Sequence, residues 1–309
     1  FSATRVFGVY EDLLGNEWIL SDNGLGMLTA GQTTPTSYFV DAAEREKKGG
    51  QAFYSCLEYN SEIYFGSDNG RVWCYQKENG QFQLQNLPAS SRIVSINSVE
   101  GNELIFTTAK DGFFSYQPKT KAIEHFPASR FPNASIHSVY VDKASEVWFE
   151  QHIPGTVVHF NPRTRILKQE KVPVEPTSTD RSRPAFHIHE DINGVLWVHP
   201  YGGGFSYFDR KSNSLHPFYN SLSGSDWRFS NKIHAAFSDR QGDLWMCTHS
   251  KGLEKVTFRP SQFRVMTPMP HDYESLSNEV RALCEDMDQN LWVGLKDGKL
   301  RVYDKNRVD

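Results

Sequence analysis

The 309-residue chain has only four cysteines, and none of them has the Cys/His spacing of a zinc site. It has no run of about 18 apolar residues, no glycine-rich phosphate loop and no G-x-S-x-G motif. These absences argue against a disulfide-stapled scaffold, a P-loop protein and an α/β-hydrolase. We therefore predict no cofactor, no bound metal and no membrane segment in this part of the protein.

The chain also lacks a long basic run and an initiator methionine. It carries 33 Lys and Arg against 37 Asp and Glu, for a formal net charge of -4. A protein that binds the phosphate backbone usually has a basic patch, so we expect no nucleic acid partner. No signal peptide is visible either, which predicts a processed or excised part of a longer protein, with any membrane segment outside it.

What the sequence does contain is a repeat. The stretch "DINGVLWVHPYGGGFSYFD", residues 191 to 209, reads as strand, glycine turn and strand, and similar stretches recur along the whole chain. Successive copies are 41 to 49 residues apart when they are aligned on one position, the anchor, in each. The seven anchors are Trp18, Tyr64, Ile105, Trp148, Trp197, Trp245 and Trp292. A period in the forties with about four short strands per copy is typical of a β-propeller.

Each copy can be divided into strands A to D. Strand B, which carries the anchor, has apolar residues on both sides of it, and burial on two faces indicates a sheet packed between two other sheets. An aspartate stands six residues before the anchor in five copies, and in three of these copies a glycine stands three residues after the aspartate. This pattern predicts a tight A-to-B hairpin. The five aspartates are Asp12, Asp142, Asp191, Asp239 and Asp286.

The predicted fold is all-β, a seven-bladed β-propeller with four-stranded antiparallel blades in a single domain over residues 1–309. The last copy ends after strand C, so we expect residues 1–5 to supply part of its outer strand, unless the last blade is left incomplete. The approximate blades are 6–50, 51–92, 93–134, 135–184, 185–230, 231–278 and 279–309 together with 1–5.

Two short motifs resemble metal sites. Asp286, Asp288 and Asn290 alternate like the start of a calcium loop, but the loop's later glycine and glutamate are missing, so we interpret the stretch as a hairpin turn. His187 and His189 would lie on one face of a strand as a possible metal pair. A histidine of the core or of the channel is the favoured interpretation, since the equivalent positions in other blades are mostly packing residues.

The four cysteines are expected to be reduced, buried thiols. Cys56 and Cys74 fall on strands A and C of one blade, and the intervening strand puts them beyond the reach of a disulfide. Cys247 and Cys284 fall on neighbouring blades and could be close. Free cysteine is often a small core residue, which favours thiols even in an oxidising compartment.

The B-to-C turns and the D-to-A connections share one end of a propeller, and they differ most between copies. Flat aromatic rings, imidazoles and guanidinium groups at that end would suit a sugar. The alternative is that these side chains fill gaps between loops or contact a neighbouring domain. The candidate ligand-binding residues are His152, His187, His199, Tyr201, Trp227, Arg228 and His249.

The repeated unit, best seen in "DRQGDLWMCTHSKGL" and in residues 275 to 304, resembles the two-component regulator propeller repeat. That resemblance implies the periplasmic sensor region of a Bacteroides-type hybrid two-component system, an inner-membrane protein with a histidine kinase. It further implies an oligosaccharide or other small ligand, neighbouring propeller and immunoglobulin-like domains as partners, and a homodimer of the full-length receptor.

Three classes of function are compatible with the sequence. A non-catalytic sensor propeller is favoured by the resemblance. A carbohydrate-active propeller enzyme, a glycosidase or lyase, is the alternative, but it requires a convergent acid/base group that the sequence does not display. A protein-interaction propeller is the third class, because Trp and Arg on loops are also typical of interface hot spots.

Overall fold

The structure is a computed structural model, and it describes residues 3–40, 51–172, 186–202, 206–217, 233–248, 252–257, 268 and 276–305. The chain divides into two compact units, Phe1–Phe258 and Arg259–Asp309. Among the described residues nearly all regular structure is β-strand, with two short 3₁₀ helices at Ala128–Arg130 and Leu276–Asn278. Within these residues no helix has both the length and the apolar character needed to cross a membrane.

The first unit contains six sheets, numbered 1 to 6 in chain order. Its strands are β1 Val6–Glu11, β2 Glu17–Ser21, β3 Gly24–Leu28, β4 Thr36–Tyr38, β5 Phe53–Tyr59, β6 Glu62–Ser67, β7 Val72–Gln76, β8 Gln81–Gln85, β9 Ile93–Val99, β10 Glu103–Thr108, β11 Phe113–Gln117, β12 Ala122–Phe126, β13 Ile136–Val141, β14 Val147–Gln151, β15 Thr156–Asn161, β16 Ile166–Lys171, β17 His187–Glu190, β18 Leu196–His199, β19 Ser206–Asp209, β20 Ser214–Pro217, β21 Ile233–Ser238, β22 Leu244–Thr248 and β23 Gly252–Val256. Sheets 1 to 5 have four strands each, and sheet 6 has three in the described ranges.

The second unit contains sheet 7, which consists of β24 Val280–Glu285, β25 Leu291–Leu295 and β26 Leu300–Tyr303. In all seven sheets each strand pairs antiparallel with the next one along the chain. Seven such meanders are the strand pattern of a seven-bladed β-propeller, so the predicted fold class is confirmed.

Sheet 7 has three strands among the described residues. The backbone N–H groups of Thr4 and Arg5 donate to Asp22, in the B-to-C turn of sheet 1. Completion of the last blade by residues 1–5, and a single domain over the whole chain, stay predictions.

Successive sheets of the first unit pack face to face, as the two-sided apolar pattern of strand B predicted. Trp18 of sheet 1 and Phe65 of sheet 2 share one buried cluster, and Phe113 of sheet 3 and Phe149 of sheet 4 share another. The anchors Tyr64 and Ile105 are buried as completely as Trp18 and Trp148. The sheets whose copies lack the Asp and the Trp are therefore as well packed as the others.

The predicted A-to-B hairpins are confirmed, and each aspartate has a second role that the sequence analysis missed. One carboxylate oxygen of Asp142 accepts the backbone N–H groups of Ala144 and Glu146, and the other accepts the indole N–H of Trp148 at 3.0 Å. The same bond joins aspartate and anchor in four other sheets, at 2.8 to 3.1 Å. The spacing of six residues therefore lets one carboxylate fix both the turn and the tryptophan.

Two cations reinforce these hairpins from the neighbouring sheet. Arg210 lies 3.2 Å from Asp142 and 3.6 Å from Glu190, and Lys77 pairs with Glu58 and lies 3.8 Å from Asp12. Each cation stands thirteen residues after the anchor of its own sheet. Each therefore connects its sheet to the hairpin of the preceding one.

The stretch that resembles a calcium loop is a hairpin turn. Asp286 accepts the backbone N–H groups of Asp288 and Asn290 on one carboxylate oxygen and bonds Trp292 with the other. These hydrogen bonds lower the pKa of Asp286, the bond from Trp292 most of all. No group of three or more metal-ligating side chains occurs in the described part of the chain.

The structure shows four free thiols, but only part of the prediction about their burial is correct. Cys74 is buried and Cys56 is partly buried, and burial raises the pKa of each thiol to about 12. Cys247 and Cys284 are exposed instead of buried. Their strands are exposed at those positions, which the alternating apolar pattern did not reveal.

Candidate functional site

At the end that carries the B-to-C turns and D-to-A connections, called here the loop end, three flat side chains stack in a column. The rings of His137 and His152 lie 3.4 Å apart and 3° from parallel, and the ring of Tyr201 follows at 4.5 Å and 17°. His137 and His152 are exposed and Tyr201 is partly exposed. We call these three residues the histidine–tyrosine stack.

Strand geometry explains why two distant histidines meet. His137 lies at the start of β13 and His152 directly follows β14, and the two strands pair with Ile136 opposite Gln151. The register shifts between Ile136 and Val139, so a bulge holds His137. A bulge can redirect a side chain toward a functional surface, and here it places one imidazole against the other.

Backbone contacts fix the turn that carries the tyrosine. The backbone N–H of Gly155 donates to the carbonyl oxygen of Tyr201 at 2.8 Å, which joins the B-to-C turns of sheets 4 and 5. Gly202 follows at φ +87°, and a Cβ added to it would lie 2.7 Å from the Cβ of Pro154. Only glycine therefore fits here, and the stack is held by rigid neighbours.

A buried glutamine fixes the backbone on which the two histidines stand. Gln151 is fully buried, accepts the backbone N–H of Asn133 at 3.0 Å and donates to the carbonyl oxygen of Ser135 at 3.3 Å. These bonds tie the D-to-A connection before β13 to the end of β14. Both histidines consequently stand on backbone that is fixed by hydrogen bonds.

The charge of the stack is set by Glu150 and Arg92. Glu150 lies 3.1 Å from Nε2 of His152, and burial raises the pKa of Glu150 while His137 opposes that rise. Burial also lowers the pKa of His137. The nearby His152 and Arg92 lower it further, and Glu150 opposes this shift. The site thus combines two imidazoles with one guanidinium cation and one carboxyl group.

Arg92 belongs to a second set of flat groups at the same end. Its guanidinium lies 4.9 Å from the centroid of the Tyr54 ring, and the ring of Phe7 stacks on Tyr54 at 4.2 Å. Sheets 1 to 3 supply these groups and sheets 4 and 5 supply the histidine–tyrosine stack. The loop end of the first unit therefore presents planar faces together with hydrogen-bond donors and acceptors.

The structure brings only part of the predicted set together. His152 and Tyr201 are in the stack, whereas His199 lies at the end of β18, fully buried, with its ring 6.3 Å from that of His187. His199 was expected on a turn, but β18 continues through it and packs it inside. Trp227, Arg228 and His249 lie outside the described residues.

His187 and His189 do not form a metal site with the described residues. Nδ1 of His189 lies 2.5 Å from the hydroxyl of Ser238, and both histidines are partly buried. Burial lowers the pKa of each. The core or channel interpretation of the pair stays a prediction.

His137, Glu150 and Arg92 were missed from the sequence. His137 stands eleven residues before the anchor Trp148 and Glu150 two after it. A search for polar residues at the starts of strands A and the ends of strands B would have found both. The bulge that brings His137 to His152 has no sequence signal of its own.

Comparison with known proteins supports the fold and the repeat. Residues 275–297 match the family described as two component regulator propeller. A search of curated proteins found no match. The chain is similar to the extracellular domains of two hybrid two component systems from B. thetaiotaomicron. For BT4673 the identity is 18% and the TM-score 0.53, over 97% of this chain and 38% of that domain. For BT3049 the identity is 15% and the TM-score 0.54, over 98% of this chain and 40% of that domain.

The chain therefore spans about two fifths of the length of those two domains. It is also similar to virginiamycin B lyase from Staphylococcus aureus, at 14% identity and a TM-score of 0.55, over 96% of this chain and 94% of the lyase. At these identities the likeness shows the fold alone. The match at residues 275–297 confirms the predicted resemblance to the two component regulator propeller for that stretch.

Proposed function

We propose that this chain is the extracytoplasmic, non-catalytic sensing propeller of a hybrid two-component signalling protein, and that it recognises an oligosaccharide at the loop end. The observation that carries the ligand class is the histidine–tyrosine stack with Arg92 nearby. Sugar rings pack on flat aromatic faces, and imidazole and guanidinium groups can bond their hydroxyl or carboxylate groups.

The signalling role is supported by the match of residues 275–297 to the two component regulator propeller and by the two extracellular domains that share the fold. In this proposal the propeller faces the periplasm as part of an inner-membrane protein. A second propeller and an immunoglobulin-like domain of the same protein are its neighbours, and the full-length receptor is a homodimer. Ligand binding would be transmitted by a shift against those neighbours.

A glycan array on the 309-residue chain, followed by calorimetry on each hit, tests the proposal. His152→Ala and Tyr201→Ala should each weaken a hit by about 1–3 kcal/mol, or roughly 5- to 150-fold, as the loss of a stacking or hydrogen-bonding anchor does. His216→Ala is the matched control, since the ring of His216 stacks on Tyr207 and bonds the hydroxyls of Ser212 and Ser214 at the C-to-D turn, outside the histidine–tyrosine stack. Equal affinity in all three variants would reject the histidine–tyrosine stack as the site.

A lyase or glycosidase activity is the second candidate. The specific observation is Glu150, whose pKa is raised by burial and whose carboxylate lies 3.1 Å from His152. Such a pair can serve as general acid and base. Turnover of any array hit by the pure chain, abolished by Glu150→Gln, would favour the enzyme over the sensor; intact recovery of the glycan supports the sensor.

A further inference from the structure

A second concave surface lies at the opposite end of the sheets, the hairpin end, among the A-to-B hairpins of sheets 4, 5 and 6. It is a cavity of about 470 Å³. Tyr140, Ile188 and His189 line it together with the residues of the hairpins. All of these residues belong to the first unit, and none is part of the histidine–tyrosine stack.

The carboxylates that line the cavity are already engaged. Asp191 accepts the backbone N–H groups of Asn193 and Val195 and the indole N–H of Trp197. Asp239 makes the equivalent three bonds in sheet 6. Glu190 accepts the backbone N–H of Lys143 at 3.0 Å. Their lone pairs are directed into the protein, so they offer little to a ligand.

The two cations that line the cavity are not engaged in this way. Lys143 follows Asp142 in sheet 4, and Arg240 follows Asp239 in sheet 6, so both stand at the tip of a hairpin. Both are exposed, and neither side chain makes an ion pair with a described residue. Hairpin geometry thus turns the carboxylates inward and leaves the positive charges facing solvent.

Between these cations, at the same position of the sheet 5 hairpin, stands an apolar side chain. Ile192 is 70% exposed, and a Cβ on Gly242 of sheet 6 would lie 3.6 Å from the Cβ of Ile192. Ile188 and Tyr140, both half-buried, line the cavity beside it. The surface therefore has an apolar centre with a cation on the hairpin at each side.

We propose that this surface docks an acidic peptide segment in which an apolar side chain stands between two carboxylates. The carboxylates pair with Lys143 and Arg240, and the apolar side chain enters the cavity against Ile188 and Ile192. The two cations favour this partner, because neither makes an ion pair with a described residue, whereas the lining carboxylates already accept N–H groups of the hairpins. Nucleic acid does not fit a chain of net charge -4 with two cations at this point.

The test uses the 309-residue chain and a fluorescein-labelled five-residue peptide with leucine between two glutamates and a glycine at each end. Fluorescence polarisation at low salt should show saturable binding, with a dissociation constant below about 1 mM, that weakens as salt is added. Replacing both glutamates by lysine should abolish binding. Replacing leucine by serine should weaken it several-fold.

The Lys143→Glu/Arg240→Glu variant should weaken binding about tenfold or more, since two exposed ion pairs are replaced by repulsion. The matched control is Lys119→Glu/Lys121→Glu, which changes the net charge equally at two exposed lysines of the C-to-D turn of sheet 3 that do not line the cavity. The control should bind as the parent does. Circular dichroism confirms that both variants are folded.

Absence of saturable binding at millimolar peptide would overturn the proposal, and so would equal affinities for the cavity variant and the control. Because the loop end is untouched by these substitutions, an oligosaccharide found on the array should bind both variants normally. Failure of the peptide experiment is thereby separated from failure of the proposed sensing function.

Discussion

The two ends of the sheets differ in how much of their side-chain bonding repeats from one sheet to the next. At the hairpin end, five sheets use the same aspartate, the same turn bonds and the same bond to the anchor tryptophan. At the loop end, four B-to-C turns share a smaller device, in which a hydroxyl three residues after the anchor donates to a carbonyl oxygen across the turn. The histidine–tyrosine stack, by contrast, occurs once among the described residues. The repeated bonds at both ends maintain the fold, and the side chains beyond them at the loop end are free to differ, as loops on a rigid β scaffold usually do.

The largest effect that would test this comparison is expected for Asp142→Ala at the hairpin end. Asp142 is buried, and its removal leaves two backbone N–H groups, the indole N–H of Trp148 and the guanidinium of Arg210 without their acceptor. We expect a loss of about 3 kcal/mol in the free energy of unfolding, measured by urea denaturation.

Asp239→Ala is the matched variant, because Asp239 makes the same three bonds in a more exposed hairpin. Water can replace its carboxylate there, so the loss should be clearly smaller. If the two variants lose the same free energy, burial does not control the contribution of these hairpins.

The next largest effect on stability compares a glycine at each end of sheet 5. Gly194 at the hairpin end and Gly202 at the loop end both have positive φ, +77° and +87°, but only Gly202 faces another residue, Pro154. Gly194→Ala should cost about 1 kcal/mol from backbone strain alone. Gly202→Ala adds a steric clash and should cost about 2–3 kcal/mol in total.

Because Gly202 follows Tyr201, its variant should also weaken any ligand found at the loop end, whereas Gly194→Ala should leave that affinity unchanged. Urea denaturation gives the two free energies and calorimetry gives the two affinities. Equal costs for the two variants would mean that the turn of sheet 5 can move away from Pro154.

The same contrast explains how much the sequence could predict. The seven anchors and the repeated Asp are periodic, so strands, turns and fold class followed from the spacing. The bond from each aspartate to its tryptophan joins two residues that were both noted, but no pattern states that their side chains meet. His137 reaches His152 through a bulge, and β18 runs one turn residue further than expected and buries His199. Such local departures from regular strands carry no periodic signal.

The smallest effect concerns two histidines of one strand, His187 toward the loop end and His189 toward the hairpin end of β17. Burial lowers the pKa of both histidines. For His187, a hydrogen bond with the backbone of His234 opposes this shift. For His189, Asp191 and Glu190 oppose the shift, and Lys143 adds to it. The unfolded chain then binds more protons than the folded one below the unfolded pKa of about 6.5. The stability that neutral histidine contributes is therefore complete above that pH and is lost as pH falls toward the folded pKa.

His187→Gln should accordingly flatten the decline of the free energy of unfolding between about pH 7 and pH 5, and His189→Gln should flatten it less, because two carboxylates already favour its protonated form. Each change should be smaller than that of either glycine variant, since both histidines are only partly buried. Urea denaturation across this pH range measures it. A steeper decline in His187→Gln than in the parent would show that protonated His187 stabilises the fold, contrary to the effect of its burial.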